Sequence, residues 1–175
     1  MARREWRVGR RGAAFLVALA SSLILAGVAV GLPPFTTAPK SAPGSGGQAE
    51  LFGVATGCRP TFDRFVIRAR FGTPRYDVRY RRRIIEDGSG NPVPLLGTKR
   101  IRVLVHNARG HTKGGMVLLP NVRTPLCPNL RQIKLAGDFE GVVTFGLGLR
   151  RKTGFRVFRL TGPKRIVIDV RHSSS

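Results

Sequence analysis

Residues 64–71 read RFVIRARF, and this stretch decides the class of fold. Its side chains alternate in character along the chain: Phe65, Ile67, Ala69 and Phe71 stand between Arg64, Val66, Arg68 and Arg70. Successive side chains of a β-strand point to opposite faces of a sheet, so a period of two residues indicates a strand with one buried face. The stretch therefore predicts a half-buried strand whose other face carries arginine.

The same alternation recurs further along the chain, in residues 75–81 and 100–105. More strand-like runs follow, in residues 130–135, 141–149, 155–160 and 165–170. Turn signals rich in Gly, Pro, Asn and Asp separate them, at residues 87–92, at 136–141 and at Gly162-Pro163. We therefore expect one all-β domain over residues 53–175, a small β-sandwich or barrel of about seven strands. Residues 106–129 lack a strand pattern and are predicted to form a surface loop.

The first 32 residues have the pattern of an export segment. Five arginines in residues 1–11 precede residues 13–32, AAFLVALASSLILAGVAVGL, which carry no charge. Cations followed by an apolar run direct the rest of the chain across a membrane. A run of this length can span a bilayer, and residues 29–31 form a passable cleavage site, so a cleaved signal peptide and a retained membrane anchor both stay open. Residues 33–52, rich in Pro, Gly and Ser, are predicted to be a flexible linker.

The charge balance restricts the class of partner. Lys and Arg number 31 and Asp and Glu number 9, which gives a net charge of +22. Such an excess favours an anionic partner, either nucleic acid, membrane headgroups or an acidic wall polymer. The export pattern argues against nucleic acid.

Six arginines of the alternating strands are candidate ligand-binding residues, because they point away from the apolar rows. If these strands pair, their guanidinium groups share one basic sheet face, which would gain by binding an anionic polymer. A solvated face, screened by salt, is the competing interpretation. The six are Arg68, Arg70, Arg79, Arg81, Arg100 and Arg102.

Cys58 and Cys127 are the two cysteines of the chain. An even number of cysteines in an exported chain favours a disulfide, with two buried thiols as the alternative. Neither belongs to a C-x-x-C pair, so no metal site is expected.

The sequence offers no catalytic pattern. Asp138 and Glu140 lie two residues apart in a turn, where carboxylates more often cap backbone amides or pair with arginine than act as acid and base. His106 and His111 lack further ligands at metal-binding spacing, and there is no G-x-S-x-G nucleophile turn. We expect a protein that is not an enzyme and that has no cofactor.

Several segments together resemble the AMIN-like domain of secreted actinobacterial proteins. They are FDRFV at residues 62–66, YDVRY at 76–80, DGSG at 87–90, GDFEGVVTFGLGL at 137–149, FRVF at 155–158 and PKRIVIDV at 163–170. The match to residues 137–149 is specific, and it marks a further candidate set: Gly137, Asp138, Glu140, Gly141, Thr144, Gly146 and Gly148. AMIN domains are β-sandwiches that localise amidases and secretion proteins to the envelope through peptidoglycan. The resemblance implies a small β-sandwich with an envelope role.

These observations predict a non-catalytic binding module of the cell envelope. Its partner is expected to be peptidoglycan or an anionic wall polymer, bound through the basic sheet face. The chain is expected to be secreted or envelope-associated, with membrane contact through residues 13–32 if they are retained. One alternative is a domain that binds another envelope protein through a sheet edge or the long loop. A second alternative is a non-specific nucleic-acid binder.

Overall fold

A computed structural model describes residues 31–173 of the chain. The predicted export segment lies outside this part, apart from its last two residues. Within residues 31–173, no helix has the length and hydrophobicity that a membrane crossing requires.

The described residues form eleven strands and no helix. The first six are β1 (Lys40–Ala42), β2 (Ser45–Cys58), β3 (Phe62–Thr73), β4 (Arg75–Arg81), β5 (Lys99–His106) and β6 (Ala108–Arg109). The others are β7 (Val122–Arg123), β8 (Leu130–Phe139), β9 (Val142–Leu149), β10 (Phe155–Thr161) and β11 (Lys164–Arg171).

Two sheets pack face to face. One has six strands in the order β1-β4-β5-β9-β8-β7, and the other has five in the order β10-β11-β3-β2-β6. All neighbouring strands pair antiparallel except β2 and β6, which are parallel. This arrangement confirms the predicted all-β class, with two sheets as in a sandwich.

The core lies between the inner faces of the two sheets. The Phe65 ring of β3 meets the Phe145 ring of β9 edge to face, with ring centroids 5.5 Å apart. Ile67 and Val103, from the predicted apolar rows, and Ile168, from a predicted strand-like run, are fully buried. Each such side chain contributes about 1.5–3 kcal/mol when it is removed from water.

The predicted linker over residues 33–52 is wrong from Thr36 onward, since Thr36 already forms a bridge with Phe155. β1 pairs with β4, and β2 begins at Ser45 and pairs with β3. Ala49 and Leu51 are fully buried in the core. The Gly- and Ser-rich composition is typical of a linker, but pairing with β3 supplies partners for the backbone and overrides that local tendency.

Phe71 also departs from its predicted place. The alternation puts it in the apolar row with Phe65, but its side chain is 67 % exposed and its backbone φ is +69°. A register shift between β2 and β3 lies beside it, and the backbones approach so closely that a Cβ at Gly72 would collide with the Gly47 carbonyl. This local irregularity ends the alternation one residue before Gly72.

The segment predicted as a loop, residues 106–129, contains the two-residue strands β6 and β7 and an isolated bridge between His111 and Val117. The predicted turn at Gly162-Pro163 connects β10 to β11.

A disulfide joins Cys58 at the end of β2 to Cys127 before β8, with a Cα–Cα distance of 5.4 Å. It links the five-stranded sheet to the segment that enters the six-stranded sheet. The two cysteines are 69 residues apart, so the chain-entropy account assigns the bridge about 4 kcal/mol of stability.

Candidate anion-binding surface

The six candidate arginines do not share one sheet face. Arg68 and Arg70 belong to β3 in the five-stranded sheet, whereas the other four belong to β4 and β5 in the six-stranded sheet. Only Pro74 separates β3 from β4, yet the two strands lie in different sheets. The alternation of side chains predicts which residues point outward, but it does not say on which sheet they lie.

Arg70 shares the Glu50 carboxylate with Arg109. Its Nε donates a hydrogen bond to Glu50 Oε1 at 2.7 Å, and Arg109 Nη2 donates to Glu50 Oε2 at 3.0 Å. The hydrogen bond from Arg70 is the main reason that the pKa of the Glu50 carboxyl lies below its ordinary value. Arg68 is exposed, and its cross-strand neighbour is another arginine, Arg165 of β11.

The remaining four, Arg79, Arg81, Arg100 and Arg102, form what we call the arginine quartet. Arg79 stands directly across from Arg102, and Arg81 from Arg100, in the pairing of β4 with β5. Like charges in directly opposed positions destabilise a sheet, and a bound anion would offset that cost.

Within the quartet, only Arg79 forms an ion pair that the structure describes. Its Nε donates to Asp77 Oδ1 at 2.7 Å, and this bond is the main cause of the lowered pKa of the Asp77 carboxyl. The Nε atom of Arg102 is buried without a hydrogen-bond partner. Burial, and after it the charge of Arg81, lower the pKa of Arg102 from its ordinary value, and the charges of Asp77 and Asp87 offset only part of this shift.

A cationic groove of about 390 Å³ adjoins the quartet at the ends of β4 and β5. No acidic residue is among its lining residues, which are Tyr80, Arg81, Arg82, Thr98, Lys99, Arg100 and Lys152. The Tyr80 hydroxyl donates to the Thr153 carbonyl at 2.8 Å, and burial raises the pKa of this phenol, so it adds no negative charge. The groove therefore offers guanidinium and ammonium groups from two strands and from adjoining turns to one anion.

Sequence reasoning missed three cations of this groove, Arg82, Lys99 and Lys152, because they lie in or beside turns and outside the alternating rows. The order of the strands did indicate where two of these cations, Arg82 and Lys99, would lie. Arg82 follows β4, and Lys99 begins β5, so antiparallel pairing of these neighbouring strands places both at the same end.

The glycines of residues 137–149 leave room for another segment of the same chain to pack closely against them. A Cβ at Gly146 would lie 2.9 Å from the Leu95 side chain, and one at Gly148 would collide with the Leu96 carbonyl. A Cβ at Gly137 would collide with the Asp87 carboxylate, which accepts a hydrogen bond from Thr144 Oγ1 at 2.7 Å. Ile84, Leu95 and Ala136 form a second small core there. These positions thus seat the connection between β4 and β5 on the outer face of β9.

The two acids of that segment have different structural positions. Asp138 Oδ2 accepts hydrogen bonds from the Gly110 backbone at 3.0 Å, and lies 2.8 Å from His111 Nδ1. Glu140 and Gly141 both have positive φ, +48° and +75°, as the two-residue turn between β8 and β9 requires. Asp138 therefore holds the segment after β6, and Glu140 lies in the turn between β8 and β9.

Cys58, Asp63 and Cys127 are the one group in residues 31–173 whose potential ligand atoms lie close enough to hold a metal ion. Both sulfurs are joined in the disulfide and offer no thiolate. Asp63 Oδ2 accepts the backbone N–H groups of Asn129 and Leu130, both at 2.7 Å. This acid therefore secures the start of β8.

Comparison with known families identifies the fold. The profile of the AMIN-like domain matches residues 49–172. The chain belongs to the AMIN-like domain family. AMIN-like domains are generally associated with the cell envelope or peptidoglycan, and they are typically binding modules rather than enzymes. The match to the AMIN-like domain begins inside β2, which agrees with the buried Ala49 and Leu51. Comparisons with curated proteins and with solved structures give no match.

Proposed function

We propose that this AMIN-like domain is a non-catalytic module of the cell envelope that binds peptidoglycan or another anionic wall polymer. The arginine quartet and the adjoining cationic groove form the binding surface. The main support for the proposal is the groove, whose lining includes five Lys and Arg residues and no acidic residue. The proposal includes export of the chain through residues 1–32.

The binding mechanism follows from the chemistry of the cations. A guanidinium group forms paired hydrogen bonds with a carboxylate or a phosphate, which suits repeated anionic groups of a polymer. Each exposed contact contributes little on its own, about 1 kcal/mol at 4 Å in water. A polymer that contacts several cations adds these contributions, and salt weakens all of them.

The test is retention of the full chain on purified cell-wall sacculi, with and without their anionic polymers, over a salt series. The variant R81E/R100E reverses the opposed pair that lines the groove. The matched control, R68E/R165E, reverses an opposed arginine pair of the other sheet. We expect wild-type retention to fall steeply with salt, R81E/R100E to lose retention and R68E/R165E to keep most of it.

Two results would contradict the proposal. Equal loss in both variants would show that net charge decides retention, without a defined surface. Retention by R81E/R100E equal to that of the wild type would remove the groove from the binding surface.

A second candidate function is docking onto another envelope protein, and a separate observation favours it. Four large apolar side chains are exposed at the opposite end of the sandwich, which we call the apolar end: Phe71, Met116, Val117 and Phe139. Backbone hydrogen bonds bring the segments that carry these side chains together. The Ala49 N–H, opposite Phe71 in the β2–β3 pairing, donates to the Asn107 carbonyl at 2.8 Å. The Ala108 N–H donates to the Gly141 carbonyl at 2.9 Å. Binding there would survive high salt, and Phe71→Ser would weaken it.

A further inference from the structure

The described chain enters the sandwich at the end that carries the cationic groove. Thr36 exchanges backbone hydrogen bonds with Phe155, the first residue of β10, at 2.9 and 3.1 Å. The Phe35 ring lies 6.1 Å from that of Phe62, the first residue of β3. Residues 35 and 36 are therefore already held by the domain.

The same end exposes a group of cations on its turns. Asn129 binds the backbone N–H of Arg151 through its side chain and that of Arg150 through its carbonyl, which fixes this turn beside the start of β8. Asp63, an acid of this end, is fully buried and lies 2.7 Å from His172 Nε2, so it does not offset the exposed charge. We call this group the cationic end: Arg59, Arg82, Lys99, Arg150, Arg151 and Lys152.

The distance from the hydrophobic run to this end is short. The uncharged run ends at Leu32, and Phe35 is packed on the domain. Three residues of extended chain span at most about 11 Å. The headgroup layer on one side of a bilayer is about 5–8 Å thick. A retained membrane segment would thus keep the cationic end within reach of lipid headgroups.

We propose that the cationic end docks on the phosphate-bearing headgroups of anionic phospholipids at the outer surface of the membrane. The proposal rests on the envelope location of the proposed function and on a retained residue 13–32 segment, and the cationic end shares Arg82, Lys99 and Lys152 with the groove. Its other three contacts, the exposed side chains of Arg59, Arg150 and Arg151, do not line the groove.

The experiment uses the full chain in vesicles of phosphatidylcholine, with or without phosphatidylglycerol. A fluorophore is attached at the cationic end through Ser173→Cys, or at the loop of the apolar end through Gly114→Cys. A quencher on the lipid headgroups then lowers the fluorescence of whichever label lies close to the membrane. The variant R59S/R150S/R151S removes three charges of the cationic end. R68S/R75S/K113S removes the same number elsewhere and is the matched control.

We expect stronger quenching at position 173 than at 114, and only when phosphatidylglycerol is present. Each cation near an anionic surface contributes about fivefold to binding, so the cationic-end variant lowers the ratio of docked to undocked domain about 100-fold. The control variant keeps most of the quenching. Equal quenching at both positions, no dependence on phosphatidylglycerol, or equal loss in the two triple variants would each overturn the proposal. Retention on sacculi is measured separately with R81E/R100E, so failure of one proposal leaves the other testable.

Discussion

The two ends of the sandwich expose opposite chemistry on one scaffold. At the cationic end, the strand termini and turns present arginine and lysine, and the acid Asp63 is buried beneath them. At the apolar end, the turns present Phe71, Met116, Val117 and Phe139, each at least 64 % exposed. The pairing of the strands brings the turns of each end together, and the residues of those turns carry the exposed side chains. Polymer or lipid binding is therefore expected at one end and protein docking at the other.

The disulfide lies at the cationic end and closes a 69-residue loop, so its removal should have the largest effect among changes made at the two ends. C58A/C127A is expected to lower the free energy of unfolding by about 4 kcal/mol, because the unfolded chain regains the freedom of a 69-residue loop. Urea unfolding measures the loss. Hydrogen exchange at the Leu130 amide should accelerate more than at the Ala108 amide of the apolar end. Equal acceleration at both sites would contradict a local bracing role.

A smaller loss of stability is expected from a substitution in β9, where the connection between β4 and β5 packs on that strand. Gly148→Ala is expected to lower the free energy of unfolding by about 1–3 kcal/mol, because its Cβ would collide with the Leu96 carbonyl. Gly53→Ala in β2 is the matched control, since open space surrounds that position. Thermal unfolding compares the two. A loss in the control as large as in Gly148→Ala would contradict this account of the glycine.

Acid should weaken the fold through two arginine-bound carboxylates. The pKa values of Glu50 and Asp77 are lowered in the folded state, chiefly by hydrogen bonds from Arg70 and Arg79. Their contribution to stability is therefore present above the unfolded pKa values of about 4 and is lost as the pH falls through the folded values. Urea unfolding should show a flatter acid limb for Glu50→Gln than for Glu140→Gln, whose carboxyl is exposed in a turn. Identical acid limbs would contradict the assignment.

The smallest effect on stability is expected at the apolar end. Phe71→Ser should change the free energy of unfolding by less than about 0.5 kcal/mol, because the ring is exposed. Phe65→Ala, in the same apolar row of the sequence, should cost about 3–5 kcal/mol, because that ring fills the core against Phe145. Similar losses in both variants would place Phe71 in the core, as the alternation alone suggests.

The sequence predicted the strands that alternate clearly and missed those that do not. Phe65, Ile67 and Val103 lie in the core as their period of two indicates, because one buried face imposes that pattern. β2 was missed in a Gly- and Ser-rich stretch, since its strand character comes from pairing with β3. The bulge at Phe71 was also invisible, because it depends on the close approach of Gly47 and Gly72.

The candidate site was predicted only in part, for a topological reason. Residue spacing identified Arg81 and Arg100 as outward-facing, and the structure places them opposite each other. It gave no sign that Arg68 lies on the other sheet, because the assignment of β3 and β4 to different sheets is a long-range property.

We expect one defined cationic groove to hold the domain on anionic wall polymer. The most direct test compares retention of R81E/R100E and R68E/R165E on sacculi at one low salt concentration. The account predicts that the groove variant is released while the control stays bound. Equal retention of the two variants, or equal release, would contradict it.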